Sequence, residues 1–140
     1  MGERFELLDH TSEIGFRARG DTLAEAFEHA GTALFEVMTD TADLDDVVEV
    51  DVAVGAESLE ALLFDFVVHL IFVAETEGVV LKTFDLAVEE QENGVTVTGT
   101  GRGEEIRQDM RLQDVKAPTY SGMRVEEDGE GWVLEMTLDV

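Results

Sequence analysis

The sequence predicts an α+β fold: a single domain, residues 1–140, with two helices packed between β layers and the first and last strands adjacent. Three observations carry this expectation. Short alternating apolar and polar segments open the chain, two stretches of helical periodicity follow, and nearly everything after Gly78 alternates again as strands. A length of 140 residues with 44% hydrophobic content suits one domain around one core.

The elements follow in order. Arg4 to His10 and Ile14 to Arg19 read as two strands, the second setting Ile14, Phe16 and Ala18 against Gly15, Arg17 and Arg19. Thr22 with Glu25 three residues later forms a capping-box pattern that opens a helix. Leu23, Phe27, Ala30, Leu34 and Met38 give it one apolar stripe, and Thr39-Asp40-Thr41 ends it. His29 belongs to its polar face. Val47 to Val54 reads as a half-buried strand, Val48, Val50, Val52 and Val54 alternating with Glu49, Asp51 and Ala53, closed by Gly55. Ser58 is the predicted N-cap of a second helix running to about Thr76. Leu59, Leu62, Leu63, Phe66, Val67, Leu70 and Ile71 fill one face, and Phe64, Val68, Phe72 and Val73 much of the other. A helix apolar nearly all round is expected to be enclosed on more than one side, with Asp65 and His69 pairing at i and i+4 on its polar strip. Val80 to Glu89 and Val95 to Gly101 form a hairpin across Glu90-Gln91-Glu92-Asn93-Gly94. Asp114 to Tyr120, Met123 to Glu127 and Trp132 to Leu138 are the remaining strands, the last two joined by a turn at Asp128-Gly129-Glu130-Gly131.

Charge narrows the function classes. The formal charge of −24 arises from 33 acidic against 9 basic residues, dispersed along the whole chain. Dispersed acids between periodic segments describe a folded domain with an acidic skin, the pattern of halophilic adaptation, because concentrated salt screens the self-repulsion. The same field argues against direct, extended nucleic-acid binding, which needs clustered Lys and Arg. Without cysteine there are neither disulfides nor thiolate metal sites. The amino-terminal residues lack an apolar signal core, and the longest apolar run carries Asp65 and His69, so a cytoplasmic protein without a membrane span is expected. Gly101-Arg102-Gly103-Glu104 lacks the Lys and Ser/Thr of a phosphate loop, and no zinc motif or nucleophile elbow is present. The apolar positions are accounted for by periodic core faces, which weighs against the large exposed apolar patch expected of a general chaperone.

The candidate site joins the chain ends. Glu13, within Asp9-His10-Thr11-Ser12-Glu13-Ile14-Gly15, and Asp139 supply hard carboxylate oxygens, with the carboxylate of Val140 one residue beyond. Calcium and magnesium prefer such ligands, provided the terminal strands meet.

Five segments resemble one known family: that first motif; Gly20-Asp21-Thr22-Leu23 with Glu25-Ala26-Phe27; Leu34 to Asp40; Asp114-Val115-Lys116-Ala117-Pro118-Thr119-Tyr120; and Leu138-Asp139-Val140. Their order and spacing resemble the archease family from end to end. That family activates the GTP-dependent RNA ligase that seals tRNA exons through a guanylylated histidine. The resemblance implies an accessory protein, not an enzyme, that promotes guanylylation and multiple turnover of the ligase in tRNA splicing. It implies a divalent metal ion, calcium foremost, at Glu13, Asp139 and Val140, and contacts to the ligase through Lys116 and His10. The family usually has Asp at the position of Glu13, and often His at that of Ser121. A general acidic chaperone or modulator of RNA-processing enzymes and a small divalent-metal hydrolase are the alternatives.

Overall fold

The structure, a computed structural model, describes residues 4–9 and 12–140, with Asp9 described by its backbone alone. Seven strands and two α-helices alternate: β1 (Phe5–Asp9), β2 (Glu13–Gly20), α1 (Leu23–Met38), β3 (Val48–Ala56), α2 (Leu59–Glu77), β4 (Val79–Gln91), β5 (Gly94–Glu105), β6 (Ala117–Asp128) and β7 (Gly131–Asp139). A short 3-10 turn, Thr41–Asp43, follows α1. One sheet has the order β1-β2-β7-β6 and the other β3-β5-β4, all neighbours antiparallel. The fold is α+β, as predicted. The last strand lies directly against β2, the second strand of the amino-terminal hairpin, with β1 next to β2 on the outside.

Both helices lie between the sheets. α1 packs on β1, β2 and β7 of one and β4 of the other; α2 packs on β6 and on β3, β4 and β5. The capping box forms at the start of α1, where the Glu25 amide donates to Thr22 Oγ1 at 3.1 Å. Glu25 reaches back to the Asp21 amide, at 2.9 Å, one residue beyond the cap. Ser58 caps α2 in the same way through the Ala61 amide, and Gly78 ends it at φ 65°, the left-handed conformation that glycine adopts without a Cβ penalty. Phe27, Phe35, Phe66 and Phe84 meet in the core, Phe66 edge-on to Phe27 at 5.4 Å between centroids and to Phe84 at 6.2 Å.

Four expectations need correction. α1 is the more enclosed helix: ten of its residues are buried, including Gly31, Ala33, Phe35 and Val37 outside the predicted stripe. α2 reaches both sheets but keeps an apolar face in solvent, with Val68 43% and Phe72 60% exposed. Asp65 and His69 form no hydrogen bond or ion pair with each other; Asp65 points to solvent, whereas His69 Nε2 is covered. Residues 114–116 precede β6 and do not belong to it, and β6 runs on through Tyr120 to Asp128 as one strand with a register shift between Thr119 and Arg124.

The glycine cluster has a packing explanation. Gly103 crosses β4 so closely that a Cβ would lie 2.0 Å from the Val80 carbonyl oxygen, and Gly99, at φ 148°, would place one 2.0 Å from that of Asp85. At the end of β5, Glu104 is the one buried charged residue among those described. Arg107, and then the Asp45 amide at 2.9 Å, hold its carboxyl below the usual range.

Every other described charge therefore reaches the surface at least in part, where repulsion among unpaired acids opposes compaction and salt relieves it. The melting temperature should rise from ~0.1 M to ~2 M KCl as the Debye length falls from ~10 Å to under ~3 Å. A flat or falling curve would contradict this.

Candidate functional site

The outer face of the four-stranded sheet shows what its cross-strand register does with charge. Glu6 lies opposite Arg17, Arg17 opposite Glu135, and Glu135 opposite Arg124, so four alternating charges cross all four strands in one row. Arg17 pairs with Glu6 at 2.5 Å and Glu135 at 3.1 Å, and Arg124 pairs with Glu135 at 3.1 Å. Glu135 first, then Glu6, raise the Arg17 pKa above its ordinary value.

Four residues along the same strands, and on the same face by the period of two, the pattern breaks. Glu13 lies opposite Asp139, acid against acid. Directly opposite residues have Cβ atoms roughly 4.5–5.5 Å apart, so the two carboxylates can reach one point. Neither forms an ion pair or side-chain hydrogen bond among the described residues, and the Arg17 row is about 13 Å away at ~3.3 Å per residue. Glu13 is half-buried and Asp139 exposed.

Two backbone contacts complete the corner. The Val140 amide donates to the Ser12 carbonyl at 3.4 Å, and the Lys116 amide to the Asp139 carbonyl at 2.9 Å. Ala117 pairs with Asp139 across the start of β6. The tertiary structure thus brings Glu13, Asp139, Val140 and exposed Lys116 together from three separate parts of the chain. His10 lies outside the described residues. Among the described residues no three His, Asp or Glu side chains cluster as a metal site by themselves, so a third donor at this corner would have to come from Val140 or from beyond those side chains. The alternating Glu6, Arg17, Glu135 and Arg124 row was not foreseen, because nothing in the sequence states the register between β2 and β7.

Residues 5–140 match the Archease protein family (MTH1598/TM1083). The chain belongs to the archease family. Protein archease of Pyrococcus furiosus is 34% identical over 98% of this chain and 99% of its own length. That of Methanothermobacter thermautotrophicus is 39% identical over 89% and 91%. The solution structure of Methanobacterium thermoautotrophicum protein 1598 superposes with a TM-score of 0.86 at 36% identity, covering 98% of this chain and 99% of that one. The crystal structure from Thermotoga maritima described as an archease, possible chaperone, shares the fold with a TM-score of 0.58 at 23% identity, over 95% and 94%. No helix among the described residues is long and apolar enough to cross a membrane.

Proposed function

We propose that this protein is an accessory factor that holds a divalent cation at Glu13, Asp139 and Val140 and activates the GTP-dependent RNA ligase of tRNA splicing. The observation that carries the reading is the pairing of Glu13 with Asp139, acid against acid with no ion pair to either among the described residues. Like charges directly opposite destabilise an antiparallel pair. In the neighbouring row on this sheet face Glu6 and Glu135 each lie opposite an arginine; here a hard divalent ion would offset the repulsion, calcium first, since it accepts carboxylate and carbonyl oxygens in flexible geometry. Val140, anchored to Ser12, adds a further oxygen donor. When bound, the ion would supply positive charge able to meet anionic oxygens of the partner. Lys116 brings an exposed ammonium group to the same corner, suited to a phosphate or carboxylate on the ligase. In so acidic a chain, recognition is directed at the ligase protein and not at an extended stretch of RNA.

The test is a ligation assay with the cognate ligase, GTP and RNA in high salt. Added protein should raise guanylylation and turnover when calcium or magnesium is present, and chelation should remove the effect. Full stimulation after chelation would rule out the cation; none with the ion present would rule out the ligase.

A further inference from the structure

α2 fills the gap between the edge strands β6 and β3 of the two sheets, and its third side faces outward. That side is apolar at its centre. Phe64, Val68 and Phe72 succeed one another at i, i+4 and i+8, and the last two are 43% and 60% exposed. Tyr120, at the shift in β6, extends the strip: its ring stacks on Phe64 at 4.2 Å between centroids and 4° between planes, yet 58% of the residue remains exposed. Phe64 is partly buried and packs against the core, but Val68, Phe72 and Tyr120 lie outside it, and Phe66, Val67 and Leu70 on the opposite face of α2 fill it. Contiguous exposed apolar surface of this kind marks an interaction site, and aromatic anchors commonly carry its energy. Stacking on Phe64 holds Tyr120 in place, which lowers the ordering cost of binding.

The surround identifies the partner. Glu60, Asp65 and Glu75 flank the strip, all exposed, and α2 contains no Lys or Arg. A second copy of this chain would set the same acids against each other, and an anionic membrane would be repelled. A protein surface with apolar side chains bordered by Lys or Arg matches both features. We infer that the outward face of α2, extended by Tyr120, is a docking surface for a protein partner presenting apolar side chains bordered by Lys and Arg. The inference stands independently of the cation at Glu13 and Asp139.

The probes are two labelled synthetic amphipathic peptides with the same leucine face, one bordered by Lys and the other by Glu. Binding is followed by fluorescence anisotropy at the lowest KCl concentration that keeps the protein folded. The Lys peptide should bind about tenfold or more tightly than the Glu peptide, and Phe72→Ser should weaken it by a similar factor. Leu7→Ser, at an exposed leucine on β1, should leave the affinity unchanged. Equal affinity for the two peptides, no effect of Phe72→Ser, or an equal loss with Leu7→Ser would each overturn the inference. So would a dimer in sedimentation velocity that Phe72→Ser dissolves, since the occupant would then be a second copy. Should Phe72→Ser alter the melt, the double change Asp65→Lys with Glu75→Lys reads the same surface. It should shift preference toward the Glu peptide, and an unchanged preference overturns the inference.

Discussion

Asp139→Ala or Glu13→Ala is expected to abolish stimulation of the ligase while leaving the fold intact. Asp139 is exposed and Glu13 half-buried on the outer sheet face, and neither belongs to the core behind it. Loss of a residue that only holds a metal ligand in place typically lowers metal affinity ~10–100-fold, and loss of a coordinating carboxylate should cost at least as much. Calcium binding by titration calorimetry should therefore fall together with stimulation. The metal-free variants should melt no lower than metal-free wild type, because removing one of two facing acids also removes their repulsion. Lys116→Ala should behave differently, keeping the ion but weakening the productive complex. Asp51→Ala serves as control: it is an exposed acid on β3, in the other sheet, with no ion pair or side-chain hydrogen bond among the described residues. If Glu13→Ala and Asp139→Ala both stimulate like Asp51→Ala, the cation reading fails.

Phe66→Ala should produce the largest loss of stability. Its ring is fully buried between α1 and the three-stranded sheet, edge-on to Phe27 and Phe84, so truncation leaves a cavity at the junction of the layers. Such changes cost about 3–5 kcal/mol, out of a total stability of roughly 5–15 kcal/mol. The melting temperature in high salt should drop by about 10–20 °C. Phe72→Ala, on the same helix but 60% exposed, should stay within about 0.5 kcal/mol of wild type. Comparable losses from both would mean that α2 buries a different face from the one described.

The contrast between these two phenylalanines shows where local information ends. Periodicity of 3.6 placed Phe66 and Phe72 on different faces of α2, but from sequence both faces were expected to be covered. How many sides of a helix are buried depends on how far the flanking sheets extend, and β6 and β3 end beside α2 without closing over it. Asp65 and His69 likewise have the spacing of a pair, yet the packing of α2 turns one outward and covers the other. Residues 114–116 carry a family motif with strand-like composition, but only their fit against the end of β7 decides that pairing begins at Ala117.

By itself the sequence determined the α+β class, the helices with their caps at Thr22 and Ser58, the strand segments and the archease family. These are properties of neighbouring residues: a capping hydroxyl, a period of two or 3.6, and motifs in a given order. The sequence also singled out Glu13, Asp139, Val140 and Lys116, through family positions and the hard-oxygen chemistry of the acids. Only the tertiary structure decided that Glu13 lies opposite Asp139, that Lys116 joins them through its amide, and that arginines neutralise the facing acids along the sheet but not at its end. Register between strands from opposite ends of a chain is set by burial of their common inner face, Ile14, Phe16 and Ala18 against Leu134, Met136 and Leu138. The polar side chains on the outer face take whatever neighbours that burial assigns them.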